Sequence, residues 1–150
     1  MTGRSLTCCV MSRYYRSPEV ITVQNNYNQS ADVWSLGCIL LEFLTTLSRQ
    51  PRYLFRGKMC NPISPGKDGA LQNDDQLVKI LERLMTNFDP DQQFSFAQDP
   101  ESLDYMKDAL GLTSQKSSID EVLSKYAHGN NGEAVSECYL ELVKIVNQML

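Results

Sequence analysis

Arg13 and Arg16 bracket two adjacent tyrosines, Tyr14 and Tyr15, and Ser17-Pro18-Glu19 follows at once. Guanidinium forks match the paired oxygens of a phosphate or a carboxylate. A core segment does not carry two arginines so close to apolar Val20 and Ile21, and a plain surface loop does not need two tyrosines. The stretch reads as a cationic loop able to receive a phosphate or an acidic peptide. Other reactive residue types say less. Cys8-Cys9 lies near Arg4 and Arg13, which would favour thiolate, but an ordinary free loop thiol is the plainer reading. His128 is the sole histidine and sits in a turn with Asn130 and Asn131, a surface setting. Cys60 has no partners at metal-ligand spacing, so no metal site is expected.

Charge divides the chain. Residues 1–70 hold eight Lys/Arg against four acids, and residues 71–150 hold six against fourteen. The cationic loop belongs to the basic part. The overall pI of about 4.9, with no basic stripe interleaved with aromatics, argues against nucleic acid. No apolar run has the length of a membrane span, and no signal peptide opens the sequence. Five cysteines, an odd number, do not form a disulfide framework. The expected setting is intracellular and reducing, cytoplasmic or nuclear, without a membrane partner.

The elements that must position the loop are helices. Residues 1–20 show no period and read as a loop. Residues 30–46, SADVWSLGCILLEFLTT, are apolar on nearly every side after the first turn and predict a helix surrounded by protein. Ser30 is the expected N-cap, with Asp32 in the first turn, where a carboxylate suits the helix dipole. Residues 47–73 hold three prolines and three glycines and read as a long loop. Asn73 and Gln76 then suggest a capping box ahead of Leu77, Ile80, Leu81 and Leu84 at helical spacing. Asp99-Pro100 opens another helix with a Leu103, Met106 and Leu110 stripe, and Gly111 is expected to stop it. A short helix capped by Ser118 and Glu121 and an amphipathic helix over 133–150 complete the reading. The fold class is mainly α: a buried central helix with amphipathic helices around it.

Taken together, RYYRSPEVI and SADVWSLGCILLE resemble the second half of the catalytic domain of eukaryotic protein kinases, where an A-P-E-type motif ends the activation segment. LFRGK at 54–58, followed by DQLVKIL at 75–81, resembles the L-F-P-G and D-Q-L stretch of the CMGC group, with the MAP kinases as nearest branch. The similarity is strong from about Leu6 to Leu84, apart from extra residues between Gly57 and Asp75, and weaker beyond. It implies that residues 1–150 are part of a kinase C-lobe. Ser12, Arg13, Tyr14, Tyr15 and Arg16 then belong to the P+1 loop, which holds the residue after the phosphoacceptor, a proline in this group. Ser12 falls at the position that orients the catalytic loop, and Arg13 and Arg16 fall at arginines that receive an activation-loop phosphotyrosine. Pro18, Glu19, Asp32, Trp34 and Gly37 fall at structural positions: Glu19 pairs with a buried arginine in the family, Asp32 accepts from the catalytic loop, and Trp34 and Gly37 pack the helix.

Departures limit the carry-over. Thr7-Cys8-Cys9 stands where MAP kinases have Thr-x-Tyr, which leaves Thr7 as the candidate phosphosite for an upstream kinase. Arg56 stands where the family usually has proline. The 150 residues contain no Gly-rich loop, strand lysine, H-R-D or D-F-G, the parts that hold ATP and magnesium and supply the base. ATP and magnesium are thus expected of the family, and neither is expected for this chain alone. Two functions follow: part of a serine/threonine kinase acting on protein substrates with Ser/Thr-Pro sites, or a kinase-like module that docks substrates or partners without catalysis.

Overall fold

The computed structural model describes residues 10–23, 27–47, 53–84, 97 and 99–113. Thr7, Cys8-Cys9, His128 and the two helices expected after residue 117 lie outside them. The described residues are mainly helical, with no sheet and only two isolated bridges, Met59 to Asp75 and Cys60 to Ser64. A 3-10 turn, Arg13–Tyr15, precedes α1 (Pro18–Ile21), α2 (Ser30–Leu47), α3 (Gln76–Leu84) and α4 (Pro100–Gly111).

The stretch expected to be loop up to residue 20 therefore contains two helical turns. Neither is long enough to show a period in sequence. Pro18 starts α1 because its fixed φ suits the first helical position, where a missing N–H costs nothing. Val23, at φ 57°, takes the left-handed region just after α1 ends.

Three expected helix ends are corrected. Ser30 is the first residue of α2 rather than its cap; the Asn28 side chain accepts from the Ser30 N–H at 2.8 Å. The Asn73/Gln76 capping box does not form. Asp75 takes the cap position, and its Oδ1 accepts from the Leu77 N–H at 2.9 Å, while Gln76 is turned to another use. Gly111 does not break α4 with a left-handed cap. It is the last helical residue, and Leu112 closes the end by donating to Ala109. The Asp99-Pro100 start holds: Asp99 Oδ1 accepts from the Ser102 N–H at 2.8 Å.

The core joins Ile21 of α1, Trp34 and Cys38 of α2, Phe55 and Cys60 of the long connection, and Leu77, Val78, Ile80 and Leu81 of α3 to Met106 and Ala109 of α4. Burying each of these large aliphatic side chains contributes about 1.5–3 kcal/mol. The layer is built chiefly by α3 against α4, with α1 touching α3 and the 3-10 turn resting on α2. The expectation that protein surrounds α2 fails on one side. Val33, Leu36, Ile39 and Phe43 are 44%, 46%, 51% and 58% exposed. A pattern that is apolar all round names no preferred face, and the described neighbours cover only the side with Ala31, Trp34, Cys38 and Leu41. No helix among the described residues is long and apolar enough to cross a membrane.

Candidate functional site

The segment Ser12–Arg16 is held as a fixed turn. The Tyr15 N–H donates to the Ser12 carbonyl at 3.0 Å, closing the 3-10 turn. The Tyr15 hydroxyl reaches across to α2 and donates to Glu42 Oε2 at 2.8 Å. Ser35 Oγ, two turns nearer the start of α2, lies 2.9 Å from the Tyr15 carbonyl and donates to it. Tyr15 is thus tied at both its backbone and its ring. Burial first, and the Glu42 carboxylate next, push its phenol up to about 12, so it remains a donor at neutral pH.

The two arginines do different things. Arg16 Nε donates to the Val10 carbonyl at 3.2 Å, and its guanidinium lies beside the buried Cys60 thiol. Burial raises that thiol's pKa, with Arg16 opposing, so Cys60 is an inert core group rather than a nucleophile. Arg13 sits 5.3 Å from the centre of the Tyr14 ring, in cation–π range. Tyr14 in turn meets Tyr53, with ring centres 4.7 Å apart. Arg13 Nε and Arg16 Nη1 are both shielded from water without a hydrogen-bond partner. Such donors favour an anion that can reach them. No carboxylate pairs with either arginine among the described residues.

The other positions singled out in sequence are distributed around this turn. Ser12 is exposed. Pro18 starts α1. Glu19 is half-buried rather than buried, and its Oε1 accepts from Ser30 Oγ at a long 3.4 Å, which pins α1 to the start of α2. Asp32 is exposed in the first turn of α2. Trp34 is buried against Phe55, ring centres 5.4 Å apart and nearly parallel, and Gly37 is buried on the same helix.

The LFRGK and DQL stretches, 17 or more residues apart in sequence, are one unit in space. Gln76 Nε2 donates to the Phe55 carbonyl at 3.1 Å, and its Oε1 accepts from the Gly57 N–H at 2.9 Å. A Cβ at Gly57 would lie 2.5 Å from Gln76 Cα, so only glycine permits this approach. Next to this clasp, Asp75 Oδ2 accepts from the Asn61 N–H at 2.8 Å, and the Tyr105 hydroxyl of α4 lies 2.7 Å from the Asn61 carbonyl and 3.3 Å from Asp75 Oδ1. Burial raises the Asp75 carboxyl above the usual range, against the hydrogen bonds from Asn61 and Leu77. The clasp and this knot carry the residues inserted after Gly57 on a fixed base.

Sequence reasoning missed Glu42, Ser35, Tyr53 and the Gln76 clasp. Glu42 had a signal: it is the one charged residue between Val33 and Leu47, and a lone acid in so apolar a helix needs a partner. Tyr53 had none.

The family model for the protein kinase domain matches residues 1–118. The chain is similar to mitogen-activated protein kinase 13 of Mus musculus, 46% identical over 57 residues, covering 38% of this chain and 14% of that protein. It is likewise similar to mitogen-activated protein kinase 13 of Homo sapiens, 47% identical over 53 residues, covering 35% of this chain and 13% of that protein. The matched stretches span about one seventh of these relatives' length.

Proposed function

Because the chain belongs to the protein kinase domain family, we propose that it carries the substrate-docking P+1 loop of a MAP-kinase-like serine/threonine kinase, at Ser12–Arg16, and that the chain by itself docks peptides without transferring phosphate. The observation that supports this most is the double tether of Tyr15, to Glu42 and to Ser35, which fixes a cationic aromatic turn on the surface of α2. A preformed turn binds an extended peptide at low ordering cost.

ATP-Mg does not fit the residues of this chain. The family's nucleotide-holding motifs are missing from these 150 residues. No phosphoryl-transfer step is assigned to it. In this reading the partners are proteins with Ser/Thr-Pro sites, Thr7 receives phosphate from an upstream kinase, and Arg16 supplies a guanidinium group for an activation-loop phosphate. The setting is intracellular.

The test is titration of the chain with a labelled Ser-Pro peptide and its Ser-Ala counterpart. The Ser-Pro peptide binds more tightly, and Tyr15→Phe, which removes the tether to Glu42, weakens that preference. Equal binding of the two peptides overturns the reading. A parallel assay with ATP-Mg and the Ser-Pro peptide gives no turnover above background; turnover lost on Asp32→Ala overturns the non-catalytic part. The second reading, a kinase-like docking module with no catalytic counterpart, rests on the same missing motifs. An in-frame coding sequence ahead of Met1 with H-R-D and D-F-G excludes it.

A further inference from the structure

Arg56 is the residue that stands where the resemblance leads to proline, and it has a definite place. It is exposed, and its backbone is fixed by the clasp on both sides, with the Phe55 carbonyl and the Gly57 N–H both bonded to Gln76. From there its guanidinium lies beside the phenol of Tyr14, where Arg13 arrives from the turn. The aromatic floor is wide: Tyr14 meets Tyr53 at 4.7 Å, and Tyr53 is 47% exposed. Neither Arg13 nor Arg56 has a carboxylate partner among the described residues, where the ion pairs belong to Lys58–Asp74 and Lys79–Glu82. Two guanidinium groups brought to one phenol repel each other unless an anion joins them.

We infer that Arg13, Tyr14, Tyr53 and Arg56 form a subsite for a phosphorylated side chain on a peptide docked along Ser12–Arg16, so that the chain selects peptides already phosphorylated beside their Ser-Pro. This rests on the P+1 reading above. Phosphate fits better than carboxylate because it brings close to two negative charges and three terminal oxygens, enough to accept from two guanidinium groups and a phenol at once. A carboxylate satisfies one fork and leaves the other unpaired. The state of Tyr14 agrees with a positive local field. Its phenol is held below the ordinary pKa chiefly by Arg13, with burial opposing and Arg56 adding to the lowering.

The test uses the full chain and three labelled peptides that share one Ser-Pro and differ at a flanking position, scanned in turn, holding alanine, aspartate or phosphoserine. At low salt the best phosphoserine peptide binds roughly tenfold more tightly than its alanine counterpart, a gain of the size expected for charge-assisted hydrogen bonds. Aspartate gives a smaller gain. Arg56→Gln, an exposed change that leaves the fold alone, removes the phosphoserine gain and leaves the alanine peptide unaffected. Tyr53→Ala reduces the gain. The inference is overturned if phosphoserine and alanine peptides bind alike, if aspartate matches phosphoserine, or if the gain survives Arg56→Gln. The outcome is separable from the P+1 reading. If Ser-Pro binds no better than Ser-Ala while an Arg56-dependent phosphate gain remains, the P+1 reading falls and the subsite stands. If Ser-Pro is preferred and phosphate adds nothing, the reverse holds.

Discussion

Helices α2 and α3 make opposite use of apolar residues. α2 is apolar almost all round, yet it leaves Val33, Leu36, Ile39 and Phe43 half exposed. α3 is amphipathic, with polar Lys79, Glu82 and Arg83 along it, yet Leu77, Val78, Ile80 and Leu81 are fully buried. The amount of apolar surface on a helix does not decide how much of it is buried; the number of faces with partners does. α3 gains its partners through polar groups. Gln76 draws in residues 55–57, Asp75 draws in Asn61, and Tyr105 brings in α4. Three directed attachments cover one short helix, whereas α2 is held by Tyr15–Glu42, Ser35–Tyr15 and the Trp34–Phe55 stack on one side.

The largest expected effect tests the buried helix. Ile80→Ala removes a fully buried side chain and leaves a cavity, at about 2–5 kcal/mol by urea unfolding. Ile39→Ala on α2 is the matched control, and an equal loss there breaks the comparison.

The clasp comes next. Gln76→Ala leaves the Phe55 carbonyl and the Gly57 N–H without their partner, at about 1–3 kcal/mol for each buried group left unsatisfied. The same unfolding measurement reads it. A loss below about 0.5 kcal/mol, the ordinary range for surface substitutions, would show that apolar contact alone holds α3.

Asp75 sharpens the comparison through pH. Its folded pKa lies above the ordinary 3.8 of an aspartate because burial disfavours the charge. The folded state therefore binds more protons than the unfolded one between those two values. This contribution is most favourable below the ordinary value and declines as pH rises through the raised one. In urea midpoints measured across that window, the wild type gains on Asp75→Asn as pH falls. A constant difference between the two would remove the buried charge from the account of α3.

The smallest effect belongs to the exposed face. Ile39→Ser or Phe43→Ser changes stability within about 0.5 kcal/mol, because water already reaches both side chains. Thermal and urea unfolding check it. A loss of several kcal/mol would mean that this face is covered in solution.

The sequence alone settled what depends on neighbours along the chain. The mainly helical class, the Asp99-Pro100 start of α4, the apolar character of residues 30–46 and the pairing of RYYRSPE with DVWSLG all follow from local chemistry and order. The same reading erred at Ser30, at Asn73 and at Gly111. At each of these, two or three adjacent polar or small residues can end a helix, and the choice turns on where their side chains find partners. Asp75 caps α3 because Gln76 is drawn away to Phe55 and Gly57. Only the tertiary structure decided which side of α2 is covered, that Glu42 holds Tyr15, that Glu19 meets Ser30 at the surface, and that Arg13 and Arg56 share one phenol. These contacts join residues 11 to 42 positions apart, and no local pattern encodes them. Their energies depend on distance and desolvation, which exist only once the chain has closed on itself.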